Sequence, residues 1–367
     1  MKIQGYPYSL HIITARERVN KMENKKVRFA VVGAGNFGGS HMRGIMKNSD
    51  VAEIVAICDT NEEFLKKRSE EFGVARTYTD FYKMIEDGGF DCVCLATPDQ
   101  IHREHAVAAA DAGYHILCEK TLAQSMDDCR AMAEAVERNG IKFMTGQVTR
   151  KNGVAVKLKE IIDSGMLGEI FSFEAEYAHD YQYLEPVWRK DPVKLRYGIV
   201  GGGCHAIELM RWMVGNPEKV CAFSAKKVLT DWPVDDTTMS IMQLPGGAVG
   251  KIFCSIGGKK PNMLPISVFG TMGTAVVHNS NSGEIHLYRH VVADNGQHMY
   301  PETIVKVEPL DHNVAAEIKE MVDCIVNDKE PECTVYEGAK TVAIGLAAIE
   351  SAAKGGMPVV PDYIEKK

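Results

Sequence analysis

Two residues of this chain, Lys120 and His205, have side chains that can hold or transfer a proton, and both stand at the end of a predicted element. Lys120 follows the apolar segment 115–118 and the acid Glu119, and His205 follows three glycines at 201–203. Histidine is the side chain best suited to exchange a proton near neutral pH, and a lysine at a strand end can polarise a substrate oxygen. Position alone also allows a solvent-facing ion pair between Lys120 and Glu119, and a packing role for His205. We therefore treat both as candidate catalytic residues.

A glycine-rich segment near the start of the chain predicts a site for phosphate groups. Gly33, Gly35 and Gly38 have the spacing G-x-G-x-x-G, directly after the apolar run 27–32 and before a predicted helix. The first glycine allows a tight turn, the second lets a pyrophosphate approach the backbone, and the third lets helix and strand pack closely. Free N–H groups at the start of the helix attract phosphate. Two further candidate cofactor-binding residues lie inside this loop, Asn36 and Phe37.

An acid follows the second predicted strand at the distance typical of a dinucleotide-binding fold. Asp59 comes after the apolar run 51–57 and lies 21 residues (59 − 38) beyond Gly38, where a carboxylate meets the adenosine ribose hydroxyls. Together with the loop, this favours a dinucleotide site over a structural glycine turn. A carboxylate repels a 2′-phosphate, so we expect NAD rather than NADP. Arg76 is distant in the sequence, although the fold could bring it close.

Strand and helix patterns alternate from residue 26 to residue 148, which predicts an α/β fold with a parallel sheet covered by helices. We expect this segment to form a Rossmann dinucleotide-binding domain. Ligands of such sheets bind beyond the carboxyl ends of the strands. The candidate cofactor-binding residues therefore include those that follow predicted strands, namely Thr97, Pro98, Glu119, Lys120 and Gln147.

From residue 149 to residue 367 the pattern changes to consecutive strands joined by short turns, which predicts an α+β domain with an open, mostly antiparallel sheet. We expect this domain to bind substrate and to form the oligomer. One face of its sheet would carry substrate groups, and the other would pack helices or another subunit. Two helices, near 314–326 and 338–353, finish the chain and could pack back on the first domain.

Residues 1–25 do not fit the alternation and are predicted to be an N-terminal extension. They lack the apolar core of a signal peptide. Met22 stands just before the first strand, so one hypothesis is that translation can begin there. The other is an ordered arm that packs on the body of the protein or on a second subunit.

Polar and aromatic residues cluster between the first strand of the second domain and the helix that begins near His205. A flat aromatic ring can cover the C–H face of a sugar while polar groups hold its hydroxyls. The alternative is a surface loop fixed by a half-buried tryptophan. The candidate substrate-binding residues in this segment are Asp180, Tyr181, Trp188 and Arg189. Glu208, one helical turn after His205, is a further candidate that could orient the imidazole or cap the helix.

Composition narrows the classes of protein to which the chain could belong. Its 367 residues favour two domains, and no run is long and apolar enough to span a membrane. A net charge of −7 without a basic run gives no indication of nucleic-acid binding. The ten cysteines include no C-x-x-C pair, so we expect free thiols in a reducing cytoplasm and no metal site.

Several of these segments together resemble the Gfo/Idh/MocA oxidoreductases, over about residues 26–361. TPDQIH at 97–102 and AGYHILCEK at 112–120 are similar to the family pattern T-P-N-x-x-H…A-G-x-H-V-x-x-E-K-P. The segment 201–215 resembles its G-x-H-x-x-D stretch with a following W-x-x-G. The resemblance implies a lysine at the hydride-transfer site and a histidine that accepts a proton, which correspond to Lys120 and His205. It also adds His102 to the candidate cofactor-binding residues.

The sequence departs from the family pattern at two positions. Thr121 replaces the proline of E-K-P, so the backbone after Lys120 lacks a fixed φ, and we expect a less rigid loop there. Gly201 stands where many dehydrogenases of the family have an aspartate four residues before the histidine. Asp180 or Asp191 could supply the missing acid.

The sequence therefore predicts an NAD(H)-dependent oxidoreductase that transfers hydride between nicotinamide and a carbinol carbon of a sugar, sugar derivative or cyclic polyol. We expect a homodimer or homotetramer, by analogy with the family. Two alternatives remain open. One is an NAD-dependent glycosidase that acts by transient oxidation and elimination, and the other is a catalytically silent dinucleotide-binding sensor.

Overall fold

Two β-sheets organise the chain, each flanked by helices, in a computed structural model that describes residues 26–183, 187–308 and 312–366. The predicted N-terminal extension, residues 1–25, lies outside these residues. No helix in the described part of the chain combines the length and apolar character needed to cross a membrane.

The first sheet has six parallel strands in the order β3-β2-β1-β4-β5-β6. The central strands are apolar almost throughout because helices cover both faces of the sheet. The strands are β1 Val27–Val32, β2 Ala52–Cys58, β3 Thr77–Tyr78, β4 Cys92–Leu95, β5 His115–Glu119 and β6 Phe143–Gly146. The helices between them are α1 Asn36–Lys47, α2 Glu62–Phe72, α3 Phe81–Asp87, α4 His102–Asp111 and α5 Met126–Asn139.

The second sheet has eight strands in the order β16-β13-β12-β11-β7-β10-β9-β8, and only the β7–β10 pair among them is parallel within the described residues. Its strands are β7 Ile170–Ala178, β8 Lys219–Ala225, β9 Thr237–Gln243, β10 Val249–Ser255, β11 Ile266–Gly270, β12 Gly273–Val277, β13 Glu284–Arg289 and β16 Glu302–Lys306. A separate two-stranded ribbon joins β14 Val291–Val292 and β15 His298–Met299. The later helices are α6 Gly153–Asp163, α7 Gly198–Gly201, α8 Cys204–Val214, α9 Val314–Val326 and α10 Val335–Ala353.

Strands β12, β13 and β16 form one end of the second sheet, and the sequence interpretation did not include them. They are five or six residues long, and β13 alternates the buried Ile285 and Leu287 with polar residues. Such short alternating segments carry a weaker signal than the apolar runs of β7 or β10, so pairing between distant segments decides their structure.

One face of the second sheet packs helices, and the same face carries His205 on α8. Phe173 and Tyr177 of β7 point into this packed core beside Ile207 and Met210 of α8. The expectation of helices on the face opposite the substrate groups therefore does not fit the position of His205, whereas its alternative, another subunit on that face, stays a prediction. The other face is exposed. Along β8, β9 and β10 the side chains that point to it are exposed and alternate with buried ones on the helix-covered face.

The last two helices join the two halves of the molecule. On α9, Ile318 and Met321 pack in the core of the first sheet with Met42 of α1. On α10, Ala339 packs with the first sheet and Ile344 with the second. The chain therefore returns to the first domain after completing the second sheet.

Candidate functional site

The glycine loop between β1 and α1 has the shape required to receive phosphate. Gly33 has φ +92°, and a Cβ there would lie 2.5 Å from the Ala96 carbonyl oxygen; a Cβ on Gly38 would lie 1.7 Å from the Gly33 oxygen. A Cβ on Gly35 would meet no atom within 4 Å, so space is open above it. Helix α1 starts at Asn36 without a side-chain cap, which leaves its first N–H groups available to an anion.

Asp59 lies at the carboxyl end of β2, beside this loop. Its Oδ2 accepts a hydrogen bond from the Ala34 N–H at 2.6 Å, and its Oδ1 accepts one from the Asn61 N–H at 2.8 Å. Arg68 supports the loop from α2 by donating to the carbonyls of Ala34 and Gly35 at 3.1 and 3.2 Å. Arg76 donates instead to Tyr78 and to the Gly88 carbonyl. Loop and acid therefore fit a dinucleotide whose ribose faces Asp59.

Lys120 follows β5, and its ammonium lies 5.4 Å from the centroid of the half-exposed Phe37 ring. No carboxylate of the described residues lies within ion-pair distance of this ammonium. The solvent-facing pair with Glu119 is therefore not formed. Glu119 is buried, accepts a hydrogen bond from the Lys120 N–H at 3.2 Å, and pairs with His41 Nε2 at 2.7 Å.

The buried pair of His41 and Glu119 anchors the end of β5 to α1. Burial lowers the pKa of His41, but Cys94 and Glu119 outweigh this effect and raise that pKa to about 10. Burial likewise opposes ionisation of Glu119, and the hydrogen bond from His41 holds the pKa of that carboxyl below its usual value. Glu119 therefore positions the backbone of Lys120 from inside the protein.

Thr121 gives the segment after Lys120 a support that proline could not provide. The Lys120–Thr121 peptide bond is cis, and Thr121 is buried. Its hydroxyl donates to the Val200 carbonyl at 2.7 Å, across to the second domain. The expectation of a less rigid loop did not anticipate this hydrogen bond.

The remaining candidates, His102, Thr97 and Gln147, lie at the carboxyl ends of the strands of the first sheet, and they play two different roles there. His102 is buried, with Nε2 3.0 Å from the Thr97 carbonyl oxygen and Nδ1 3.0 Å from that of Thr121, so it ties two strand-end loops together. Thr97 Oγ1 and Gln147 Oε1 are buried without a hydrogen-bond partner among the described residues. These two atoms are available to a bound cofactor, whereas His102 supports the loops from behind.

His205 lies at the start of α8, and its Nδ1 is buried without a hydrogen-bond partner among the described residues. Burial lowers the pKa of His205 well below its usual value, and the neighbouring Lys120, His312 and Arg196 lower it further. The imidazole is therefore neutral at neutral pH. A neutral imidazole has one nitrogen free to accept a proton.

A narrow cleft opens beside His205. The ring of Tyr177 lies 5.9 Å from the ring of His205, centroid to centroid, and forms part of the wall. Both apolar and polar side chains line the cleft. The polar lining residues are Thr149, Asn152, Asn262, Ser280, Asn281 and His312.

Among the described residues, neither acid predicted to accompany His205 lies beside it, and an arginine fills the space beside Gly201. A Cβ on Gly201 would lie 2.2 Å from Nη1 of the buried Arg196, whose Nε donates to Asp99 at 2.6 Å. Asp180 instead pairs with Lys259 at 2.8 Å, and Asp191 accepts hydrogen bonds from the N–H groups of its own loop. Neither candidate acid is among the groups that shift the pKa of His205.

The predicted aromatic segment lies next to this arginine. Trp188 stacks with both Arg196 and Arg189, whose guanidinium carbons lie 5.2 and 4.9 Å from the ring centroid. Arg189 also lies 5.5 Å from the ring centroid of Tyr181. Tyr181 is buried, and its hydroxyl hydrogen bonds to that of Tyr177 at 2.8 Å. A continuous row of side chains therefore leads from Arg189 to His205.

Glu208 lies away from this row, in the interior of the protein. Its carboxylate accepts hydrogen bonds from Arg150 Nε at 2.6 Å, from Arg211 Nη1 at 3.0 Å, and from the Thr341 hydroxyl. Its side chain is completely buried. The structure therefore does not support Glu208 as a substrate-binding residue or as a partner of His205. It ties α8 to α10 and to the turn after β6.

Two models of known protein families match this chain, one in each of its two domains. Residues 27–147 match the model of the oxidoreductase family with an NAD-binding Rossmann fold, and residues 155–276 match the GFO/IDH/MocA C-terminal domain. The chain belongs to the GFO/IDH/MocA family. Both domains are present in the order that the sequence predicted.

Named relatives and solved structures of the family align with most of the chain. A levoglucosan dehydrogenase from Pseudarthrobacter phenanthrenivorans is 28% identical over 62% of this chain and 66% of that protein. A myo-inositol 2-dehydrogenase from Thermotoga maritima is 25% identical over 89% of this chain and 96% of that protein. An Agrobacterium radiobacter oxidoreductase, solved with NAD+, L-tartaric acid and magnesium, is 26% identical with a TM-score of 0.81, covering 92% of this chain and 98% of that one.

Sequence reasoning missed several residues of this GFO/IDH/MocA site. Asp99 was not predicted as a site residue and was noted only within the motif at 97–102. It follows the same predicted strand as the candidates Thr97 and Pro98, so its position was the signal that could have identified it. Arg196, His41 and Arg68 gave no local signal, because their partners lie 97, 78 and 34 residues away. Contacts at such separations become visible only in the folded chain.

Proposed function

We propose that this GFO/IDH/MocA protein is an NAD(H)-dependent dehydrogenase that acts on a secondary hydroxyl group of a sugar, sugar derivative or cyclic polyol. The observation that carries the proposal is that Lys120, at the carboxyl end of β5, lies close enough to His205 for its charge to lower the pKa of that imidazole. One is an ammonium without an ion-pair partner among the described residues, and the other is a neutral imidazole beside a cleft. Relatives named for sugars and an inositol agree with this substrate class.

The chain's own residues divide the work of such a reaction. NAD, when bound, supplies the hydride acceptor. Lys120 holds the reacting hydroxyl oxygen and stabilises negative charge that develops on it. His205 accepts the hydroxyl proton, since its imidazole is neutral. The glycine loop and Asp59 hold the pyrophosphate and adenosine ribose of the cofactor, while Thr97 and Gln147 offer polar atoms near its other end.

The substrate side is proposed to include the row that ends at Arg189. Tyr181, Trp188 and Arg189 form one wall, and Asp180 lies at its rim, paired with Lys259. We keep residue 148 as the proposed boundary between the cofactor domain and the substrate domain. Helices α9 and α10 join the domains and hold the two walls of the site together.

The test is NADH absorbance with a panel of monosaccharides, inositols and sugar acids, with NAD and with NADP. Lys120→Ala is expected to lower kcat/KM at least about 100-fold, because it removes the charge that stabilises the developing alkoxide. NADH binding, followed by fluorescence, should stay within about twofold. Lys83→Ala, which removes an exposed lysine of α3, is the matched control. Unchanged turnover in Lys120→Ala would contradict the assignment.

The same assay separates the two alternatives. NAD that remains bound through purification, glycoside cleavage and no net NADH formation would support the redox-elimination glycosidase. Dinucleotide binding with no turnover on any substrate would support the silent sensor. The paired presence of Lys120 and His205 favours the dehydrogenase over the sensor.

We also propose a homodimer or homotetramer formed through the open face of the second sheet. Phe223, Met239, Ile241 and Val249 are between 42 and 67% exposed on three adjacent strands of this face. A contiguous exposed apolar surface of this kind is typical of an interface. Light scattering should give the mass of a dimer or tetramer, and Ile241→Glu should shift it towards the monomer. A monomeric native protein would contradict this proposal.

A cytoplasmic location is proposed from the thiols. All ten cysteines are free, and nine of them are buried. Free thiols persist in reducing compartments. Fractionation of the native host, followed by immunodetection, would test the location.

A further inference from the structure

Arg189 is a partly buried cation with no anionic partner among the described residues. Its Nε is buried and forms no hydrogen bond with any described residue. Its guanidinium carbon lies 4.9 Å from the Trp188 ring centroid and 5.5 Å from that of Tyr181, so two aromatic rings hold it. Burial lowers the pKa of this guanidinium, and the nearby charge of Arg196 lowers it further.

The neighbouring acids are already committed to other groups. Asp99 accepts a hydrogen bond from Arg196 at 2.6 Å and one from Gln124 at 3.1 Å. Asp180 pairs with Lys259, and Asp191 serves its own loop. At Gly201, where many family members have an aspartate, the space is filled by Arg196. Among the described residues, none of these acids pairs with Arg189.

Burying an uncompensated charge is costly, so proteins rarely keep one without a purpose. A guanidinium presents a planar fork of donors that matches a carboxylate in two parallel hydrogen bonds. Arg196 shows this affinity within the same cluster, where Asp99 is its partner. Arg189 has the same chemistry but no carboxylate partner in the described part of the chain. The hydrogen-bonded hydroxyls of Tyr181 and Tyr177 connect it to the wall that His205 shares.

We infer that the substrate carries a carboxylate, as an aldonic or uronic acid does, and that Arg189 binds this carboxylate while the reacting hydroxyl faces His205. This inference rests on the proposed dehydrogenase function and narrows its substrate class. Tyr181 and Trp188 keep the guanidinium in place and exclude water from the ion pair, which strengthens it.

The experiment compares matched substrates that differ only at one carbon, such as glucuronate with glucose, galacturonate with galactose, and gluconate with sorbitol. Sugar phosphates form a third arm, because a phosphate offers a guanidinium similar oxygens. We expect kcat/KM for at least one acid to exceed that of its neutral partner by about 100-fold. Arg189→Gln should raise KM for that acid by about 30-fold or more, with a smaller effect on kcat, because it removes one partner of a desolvated charge pair.

Three controls make the result specific. Lys190→Gln removes a positive charge from the next residue, whose ammonium lies over Trp232, and should leave KM for the acid within about twofold. Arg189→Lys keeps the charge without the fork and should recover only part of the affinity. NADH binding by fluorescence and thermal unfolding of each variant show that the cofactor site and the fold are intact.

The outcomes separate this inference from the proposed function. Turnover of neutral sugars as efficient as that of acids, or equal effects of Arg189→Gln on both, would overturn the carboxylate assignment and leave the dehydrogenase intact. Preference for sugar phosphates would also overturn it. Absence of any turnover, with bound NAD, would refute the proposed function itself. Direct binding of gluconate or glucuronate to the enzyme–NADH complex, abolished in Arg189→Gln, would still support the anion site.

Discussion

Replacing Glu208 by glutamine tests whether this residue is structural or substrate-binding. Two buried arginines, Arg150 and Arg211, share the buried carboxylate of Glu208, and both also pair with the partly exposed Glu337. Arg150 additionally lies 3.7 Å from Glu332. The side chains of Glu208, Arg150 and Arg211 are 0, 4 and 3% exposed. In Glu208→Gln the two arginines lose their only fully buried carboxylate partner and keep the more exposed Glu337 and Glu332.

The loss of this buried negative charge determines how much stability we expect Glu208→Gln to lose. Removing one partner of a buried ion pair typically destabilises a protein by about 3–5 kcal/mol, because the remaining charge stays out of water. Glutamine preserves the volume and can still accept from Thr341, and Glu337 remains near both arginines. We therefore expect a loss near the lower end, about 3 kcal/mol. For a domain of this size that lowers Tm by about 6–12 °C.

Urea unfolding followed by far-UV circular dichroism measures the loss. Glu160→Gln is the matched control, because Glu160 pairs with Lys157 on the exposed surface of α6 and should change stability by less than about 0.5 kcal/mol. KM of folded Glu208→Gln at low temperature should stay within about threefold. A loss of stability below 1 kcal/mol together with a large rise in KM would refute the reasoning and restore Glu208 to the substrate site.

Three further predictions concern titration and the support of Lys120. The pKa of His41 is about 10 in the folded protein and near 6.5 when unfolded, so its stabilisation is complete below pH 6.5 and is lost as pH rises to 10. Between these two pH values, the free energy of unfolding of the wild type, measured with urea, should fall more steeply with pH than that of His41→Asn. The difference in slope should reach up to about 1.4 kcal/mol per pH unit. Equal slopes for the two proteins would contradict the pairing of His41 with Glu119. The lowered pKa of His205 predicts that the acidic limb of kcat/KM for oxidation lies below pH 6.5; a limb at or above 6.5 would contradict it. Thr121→Val removes the hydroxyl that donates to the Val200 carbonyl. It should lower the free energy of unfolding in urea by about 1–3 kcal/mol and should also lower kcat. Unchanged stability and kcat would show that this hydroxyl does not support Lys120.

The parts of the fold that the sequence predicted well are those with local causes. Strand β1 and helix α9 have the predicted bounds. The apolar run of the strand and the apolar stripe of the helix are each formed by residues close together in the sequence, so the local pattern is enough to predict them. The glycine loop was predictable because a positive φ and close approaches permit only glycine at Gly33 and Gly38. Strands β12, β13 and β16 were missed because pairing across the sheet, and not their own composition, determines them.

The site was predictable only in part, for the same reason. Lys120 and His205 stand at element ends that the sequence reveals. The role of Glu208 was misjudged because its helix position pointed to His205, whereas its true partners Arg150 and Thr341 lie 58 and 133 residues away. No pattern of spacing indicates that Arg196 fills the space beside Gly201.

The exchange of an acid for Arg196 beside His205 changes how the base must work. An aspartate near an imidazole stabilises the imidazolium and raises its pKa, whereas Lys120, His312 and Arg196 lower the pKa of His205, after the larger effect of burial. The imidazole proposed as the base is therefore weak in the free enzyme. A carboxylate bound at Arg189 would bring the missing negative charge with the substrate and raise the pKa of His205 in the complex. The acidic limb of kcat, which reports the complex, should then lie at higher pH than the limb of kcat/KM, which reports the free enzyme. Coinciding limbs, or a kcat limb at lower pH, would show that the substrate does not supply this charge.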